Sequence, residues 1–83
     1  MSKLQIHTDE LTEVLFLQYS PVNDSVIYDI CDLNGNIIKT GFVSGKPTSI
    51  SLTGFNPGNY QLFLVDGGKL YKEKFELDQA ILA

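Results

Sequence analysis

The chain has 83 residues, 43% hydrophobic and 19% charged, with ten acids against six basic residues and a net charge of −4. That length holds one domain, residues 1–83, with a small core, and the composition is too apolar and too weakly charged for a disordered tail. The acidic balance, with every basic residue a lysine, argues against nucleic-acid binding, and a single cysteine and a single histidine exclude a disulfide framework, a multi-cysteine metal knuckle and any two-histidine metal motif.

Periodicity predicts strands throughout. The first is expected near residues 3–7 and the second near 13–19, through Val14-Leu15-Phe16-Leu17. A short helix from Asp9 to Leu17, capped by Thr8 or Asp9, is the competing reading, with Leu11, Leu15 and Phe16 on one face. Ser20-Pro21-Val22-Asn23-Asp24-Ser25 reads as a loop. In the third strand, 25–33, Val26, Tyr28 and Ile30 alternate with Ile27, Asp29 and Cys31. Asn34-Gly35 is the strongest hairpin signal and leads into a strand over 36–43. Ser44-Gly45-Lys46-Pro47 turns the chain into a fifth strand, 48–53, where Ile50 and Leu52 flank Ser51. Asn56-Pro57-Gly58-Asn59 precedes the sixth, 59–65, where Tyr60, Leu62 and Leu64 alternate with Gln61, Phe63 and Val65. Asp66-Gly67-Gly68 makes a tight hairpin into the seventh, 69–77. Asp78 to Ala83 reads as a short helical turn or a frayed end.

Seven short strands at this spacing predict an all-β fold, a seven-stranded antiparallel immunoglobulin-like β-sandwich. Its expected core is Ile6, Leu15, Leu17, Val26, Tyr28, Ile30, Leu33, Ile38, Ile50, Leu52, Tyr60, Leu62, Leu64 and Phe75. The runs from Val26 to Cys31 and from Tyr60 to Val65 are apolar on both faces, which suits central strands whose second face is also partly covered.

The residue chemistry offers little for catalysis. Asp32, Asn34 and Asn36 alternate as calcium ligands can, yet Asp and Asn also brace turns through their own backbone, and the later glutamate of a calcium loop is missing. His7 has no nameable partner, and Cys31 sits inside a strand with no basic residue near it in sequence to lower its pKa. The serines lack a nucleophile-elbow pattern, and Gly67-Gly68 lacks the lysine and helix of a phosphate loop. Asp29 and Asp32 are separated by an odd number and belong on opposite strand faces. The aromatics include candidates for a sugar-stacking platform, although a domain this small needs most of them inside. The expectation is no enzyme: no catalytic, cofactor-binding or metal-ligating residues, and no cofactor.

Charge is unevenly spread. Residues 1–34 hold one lysine against six acids, whereas the last expected strand carries Lys69, Lys72 and Lys74. No apolar run of signal-peptide or membrane-spanning length is visible, so the chain is expected either to be cytoplasmic or to be a piece of a longer exported precursor, without membrane insertion.

Three segments carry a resemblance. Ile30-Cys31-Asp32-Leu33-Asn34-Gly35-Asn36-Ile37-Ile38 resembles the "v-y-D-l-n-G-k-v-v" hairpin of the C-terminal sorting domains of type IX secretion substrates. Ser49 to Tyr60 resembles that family's "i-d-l-s-g-l-p-x-G-x-Y" segment, and Lys72-Glu73-Lys74-Phe75 its closing "k-k-F" strand. The likeness spans residues 25–77; the family's opening "Y-P-N-P" has no counterpart in residues 1–12. It implies turn roles for Gly35 and Gly58, a bracing role for Asp32, and a tyrosine corner at Tyr60. It also implies a non-catalytic sorting or cell-surface attachment module of a larger exported protein, recognised by an outer-membrane secretion machine and removed by a sortase-like peptidase. Partner recognition would then fall on Lys72 and Lys74. The alternative is a stand-alone immunoglobulin-like adhesion or carbohydrate-binding module that takes a protein partner along a sheet edge.

Overall fold

The computed structural model describes residues 4–21, 23–44 and 47–78, and the regular structure in them is all β. The strands are β1 (Gln5–Asp9), β2 (Val14–Gln18), β3 (Ile27–Asp32), β4 (Ile37–Phe42), β5 (Thr48–Ser51), β6 (Gly58–Asp66) and β7 (Lys69–Leu77). They form two antiparallel sheets, one in the order β1-β2-β5 and one in the order β4-β3-β6-β7. The expected start of the first strand at Lys3, the loop residue Val22, the turn residues Gly45 and Lys46, and the segment from Gln79 to Ala83 lie outside the described residues.

Each hairpin has a local cause. Between β1 and β2 the chain turns over residues 10–13, Asp9 pairs with Val14, and Glu13 takes a left-handed φ of 57°. This turn replaces the competing helix. A helix would put Leu11 on the face of Leu15, but Leu11 is 84% exposed, while strand alternation carries Leu15, Leu17 and Tyr19 inward together. Between β3 and β4 the Gly35 N–H donates to the Asp32 carbonyl and Gly35 sits at φ 86°, with a register shift after Ile30. A type I turn followed by a left-handed glycine has this form, and the register shift beyond it is a separate bulge that leaves Ile38 as the extra residue. Asp32 braces it, its Oδ1 accepting the N–H of Asn34 and of Asn36, both at 2.9 Å. The β6–β7 hairpin turns on Gly67-Gly68, with Asp66 paired to Lys69 and Gly67 at φ 62°.

The two sheets face each other across one core. Leu15, Leu17 and Ile50 come from the first sheet, and Tyr28, Ile30, Leu62 and Leu64 from the second. Leu4, Tyr19, Val43 and Leu77 join them; Ile6 and Phe75 are partly buried against the cluster. Two expected core residues are outside. Leu33 is 70% exposed because it occupies the β3–β4 turn, and Ile38 is 45% exposed because the bulge adds a residue at its position. Pattern reading from the strands on either side carries their alternation through the turn, where it does not hold.

Two tyrosines pin loops to this core. The Tyr60 hydroxyl donates to the Asn56 carbonyl at 2.6 Å, the tyrosine corner expected from sequence. The Tyr60 ring lies between Phe55 and Phe75, with centroids 5.3 and 5.5 Å away. The Tyr19 hydroxyl donates to Asp66 Oδ2 at 2.6 Å.

Candidate functional site

Register and alternation fix what each face of the four-stranded sheet presents. Tyr28, Leu64 and Tyr71 share one inward row with Gly41; Ile30, Leu62 and Glu73 share the next with Lys39. Lys39 lies at the sheet's edge, and its Nζ donates to the Ser51 carbonyl of the opposite sheet at 2.9 Å.

The outward rows are of another kind. Phe42, Ile27, Val65 and Leu70 pair directly across all four strands. Phe42 is 71% exposed and Leu70 63%, with Ile27 also exposed between them. The adjoining row is Thr40, Asp29, Phe63 and Lys72, and the one beyond is Ile37, Cys31, Gln61 and Lys74. The outer face is therefore apolar at one end, with a lysine column along β7 and Asp29 near its middle. A contiguous exposed apolar surface of this kind marks an interaction face.

Lys72 and Lys74, the recognition residues expected from sequence, both sit on this face, exposed on an edge strand. Lys74 also borders a groove of about 400 Å³ with Leu33, Gln61 and Phe75. Lys69 stands at the start of the strand, opposite Asp66. The apolar row escaped the sequence reading, although its signal was present: the β3 and β6 segments are apolar on both faces.

The remaining candidates lie elsewhere. His7 is exposed on the other sheet and stacks on Phe16, centroids 6.4 Å apart. Cys31 is half-buried within the outer face; its thiol pKa is pushed up by burial and further by Asp29 and Asp32, which makes it a poor nucleophile. Asp32 spends its carboxylate on its own loop, and Asn36 Nδ2 adds a bond at 3.2 Å. Those loop bonds, the Asn36 N–H first, hold its pKa below the ordinary carboxylate range against a smaller opposing effect of desolvation. Asp29 and Asp32 do face opposite ways, Asp29 paired with Phe63 and Asp32 with Tyr60. Among the described residues, no group of three or more His, Cys, Asp or Glu side chains is placed to hold a metal ion. Of the aromatics, Tyr19, Tyr28 and Tyr60 are buried, while Phe42 is exposed and Phe63 half-buried in adjoining outward rows.

Asp66 is the polar residue that sequence reading missed. It is 4% exposed at the head of the β6–β7 turn. Besides Tyr19, it accepts the Asn23 N–H at 3.1 Å and the Asn23 side-chain amide. Burial first, then the bond to Asp66, raises the Tyr19 pKa well above that of an ordinary tyrosine, and the Tyr71 ring lies 5.4 Å away. The cluster fastens the loop after β2 to the β6–β7 hairpin. Its groups are mutually satisfied, which makes it a structural clasp.

Neither a protein-family model nor a curated protein matches this sequence.

Proposed function

We propose that this chain is a non-catalytic β-sandwich module of the immunoglobulin-like kind, serving secretion sorting or cell-surface attachment of a larger exported protein. Two features support the fold reading. With the strands relabelled A, B, C, C′, E, F and G, the sheets become A-B-E and C′-C-F-G. Tyr60 then stands near the start of strand F and bonds back to the backbone of Asn56, the place and form of a tyrosine corner in such sandwiches.

The functional reading is carried by β7. This nine-residue strand ends its sheet and turns Phe75 and Leu77 toward the core while Lys72 and Lys74 stand exposed on the outer face. It is also the strand whose Lys72-Glu73-Lys74-Phe75 resembles the closing strand of type IX sorting domains. Among the described residues β7 pairs on one side only, and an edge strand with exposed cations gives a docking protein both backbone partners and charge.

The test is to fuse residues 1–83 behind a periplasmic reporter in a bacterial host that has a type IX machine. The reporter should reach the cell surface, and K72E combined with K74E should return most of it to the periplasm. Retention of the unmodified fusion in the periplasm overturns the sorting reading.

A further inference from the structure

We propose that the outer face of the four-stranded sheet is a self-association surface, which pairs with the same face of a second copy about a twofold axis parallel to the strands. The inference does not rest on the sorting reading, since a module can be exported as monomer or dimer.

The face itself asks for a cover. Its first row, Phe42–Ile27–Val65–Leu70, crosses all four strands and is apolar from edge to edge. Phe63 and Ile37 extend it into the next two rows. Two sheets of this kind pack face to face at about 10 Å with their strands near parallel, and outward side chains fill the gap.

Charge chooses the occupant and the axis. In sheet order, the outward charges run from Asp29 on β3 to Lys72, Lys74 and, at the far end of the face, Glu76 on β7. A twofold axis along the strands reverses the order β4-β3-β6-β7, so β4 lies over β7 of the second copy and β3 over its β6. Rows keep their level under this operation. Phe42 then lies over Leu70 of the second copy, and Ile27 over its Val65, so the apolar row buries itself. One row on, Asp29 lies over the second copy's Phe63, with the second copy's Lys72 beside it. Symmetry makes this contact twice. A twofold axis across the strands keeps β7 over β7. Centred on these three rows, it would set Lys72 against Lys72 of the second copy, Leu70 against its Lys74 and Phe42 against its Ile37. Over these three rows the pattern is thus complementary to itself about the axis along the strands and sets Lys72 against itself about the axis across them, a property that a face serving an unrelated partner does not need.

The size of the face sets the strength. Four strands spaced about 4.8 Å apart and three rows deep bury roughly 500 Å² per copy, about 1,000 Å² in all, at the low end for specific interfaces. Association should be weak, concentration-dependent and partly sensitive to salt.

Sedimentation equilibrium of the full chain, from about 10 µM to about 1 mM where an interface of this size associates, reads the result directly. The weight-average mass should climb from 9.2 kDa toward twice that value. F42E and L70E should each abolish the climb; both sites are exposed, and circular dichroism confirms that the variants are folded. If either fails to fold, F42S replaces it. D29K and K72D should each weaken association by roughly tenfold, because both symmetric pairs become repulsive. The double variant D29K/K72D should restore it. A mass fixed at the monomer value up to the highest concentration overturns the proposal. So does a dimer that survives F42E, as edge-to-edge strand pairing would, or a double swap that associates no better than the single ones.

Discussion

The four-stranded sheet has two tight hairpins, each entered through an aspartate and turned on a glycine, and the two are held in opposite ways. In the β3–β4 hairpin, Asp32 bonds the backbone N–H groups of Asn34 and Asn36, two and four residues ahead, and Gly35 turns in open space. In the β6–β7 hairpin, Asp66 reaches Asn23 and Tyr19, 43 and 47 residues away in sequence, under nearly complete burial. One aspartate closes a local loop that water could also satisfy. The other holds two distant segments together, through a buried bond from Tyr19 and part-buried bonds from Asn23. The same pair of residue types therefore gives a modest local preference in one hairpin and a tertiary clasp in the other.

The largest test of this contrast is D66A. It strips the acceptor from the buried Tyr19 hydroxyl and from the Asn23 N–H and should cost about 3 kcal/mol or more in urea unfolding. D66N keeps the shape with a poorer acceptor and should lose less, about 1–2 kcal/mol. A cost for D66A below about 1 kcal/mol would put the two hairpins on a par. The glycines should separate next. Both need positive φ, but a Cβ on Gly67 would stand 2.7 Å from Asn23 Nδ2, whereas one on Gly35 meets nothing within 4 Å. G35A should therefore cost about 1 kcal/mol, the backbone term alone, and G67A about 2 kcal/mol or more.

Y19F should cost about 1 kcal/mol and carries a pH signature. The folded-state pKa of Tyr19 is raised, so the protonated hydroxyl's contribution is fully present below a tyrosine's usual value of about 10 and is lost as the pH rises above it toward the folded value. Thermal unfolding should show a Tm that falls with pH above that point, less steeply in Y19F. The Tyr28 pKa is also raised by burial, so part of the alkaline slope should persist in the variant. A Y19F profile identical to that of the unmodified chain would remove the clasp from the account.

The smallest effects belong to Asp32. Its folded pKa is lowered, so its contribution is present above the ordinary carboxylate range and is lost as the pH falls through the folded value. D32A should lower Tm slightly at neutral pH and flatten the acid limb. It should also speed labelling of Cys31 by a thiol reagent near pH 8, because Asp32 is one of the charges that raise the thiol's pKa, after burial and Asp29. Unchanged labelling would mean that burial and Asp29 set that pKa between them.

Much of the fold was legible in the chain. Alternation of Tyr60, Leu62 and Leu64 against Gln61, Phe63 and Val65 marked β6 and its inward face, because a strand's side chains alternate whatever surrounds it. Turn chemistry at Asn34-Gly35 and Asp66-Gly67-Gly68 placed both hairpins. The misplaced Leu33 and Ile38 mark the limit of this logic, since a turn followed by a bulge breaks the alternation locally. The candidate surface was half legible. Lys72 and Lys74 were visible as a polar set on one strand. The row from Phe42 to Leu70 was not, because it joins four strands whose register is set by pairing between segments distant in sequence.

By itself, then, the sequence determined the strands, the hairpins, the tyrosine corner and the turn role of Asp32, all matters of period or of neighbours a few residues apart. Only the tertiary structure decided that Asp66 is a clasp, that Leu33 and Ile38 stand outside, and that an apolar row spans one face with Asp29 and Lys72 in the row beside it. Those outcomes depend on which distant segments pack together and how they exclude water, and neither residue type nor spacing along the chain encodes them separately.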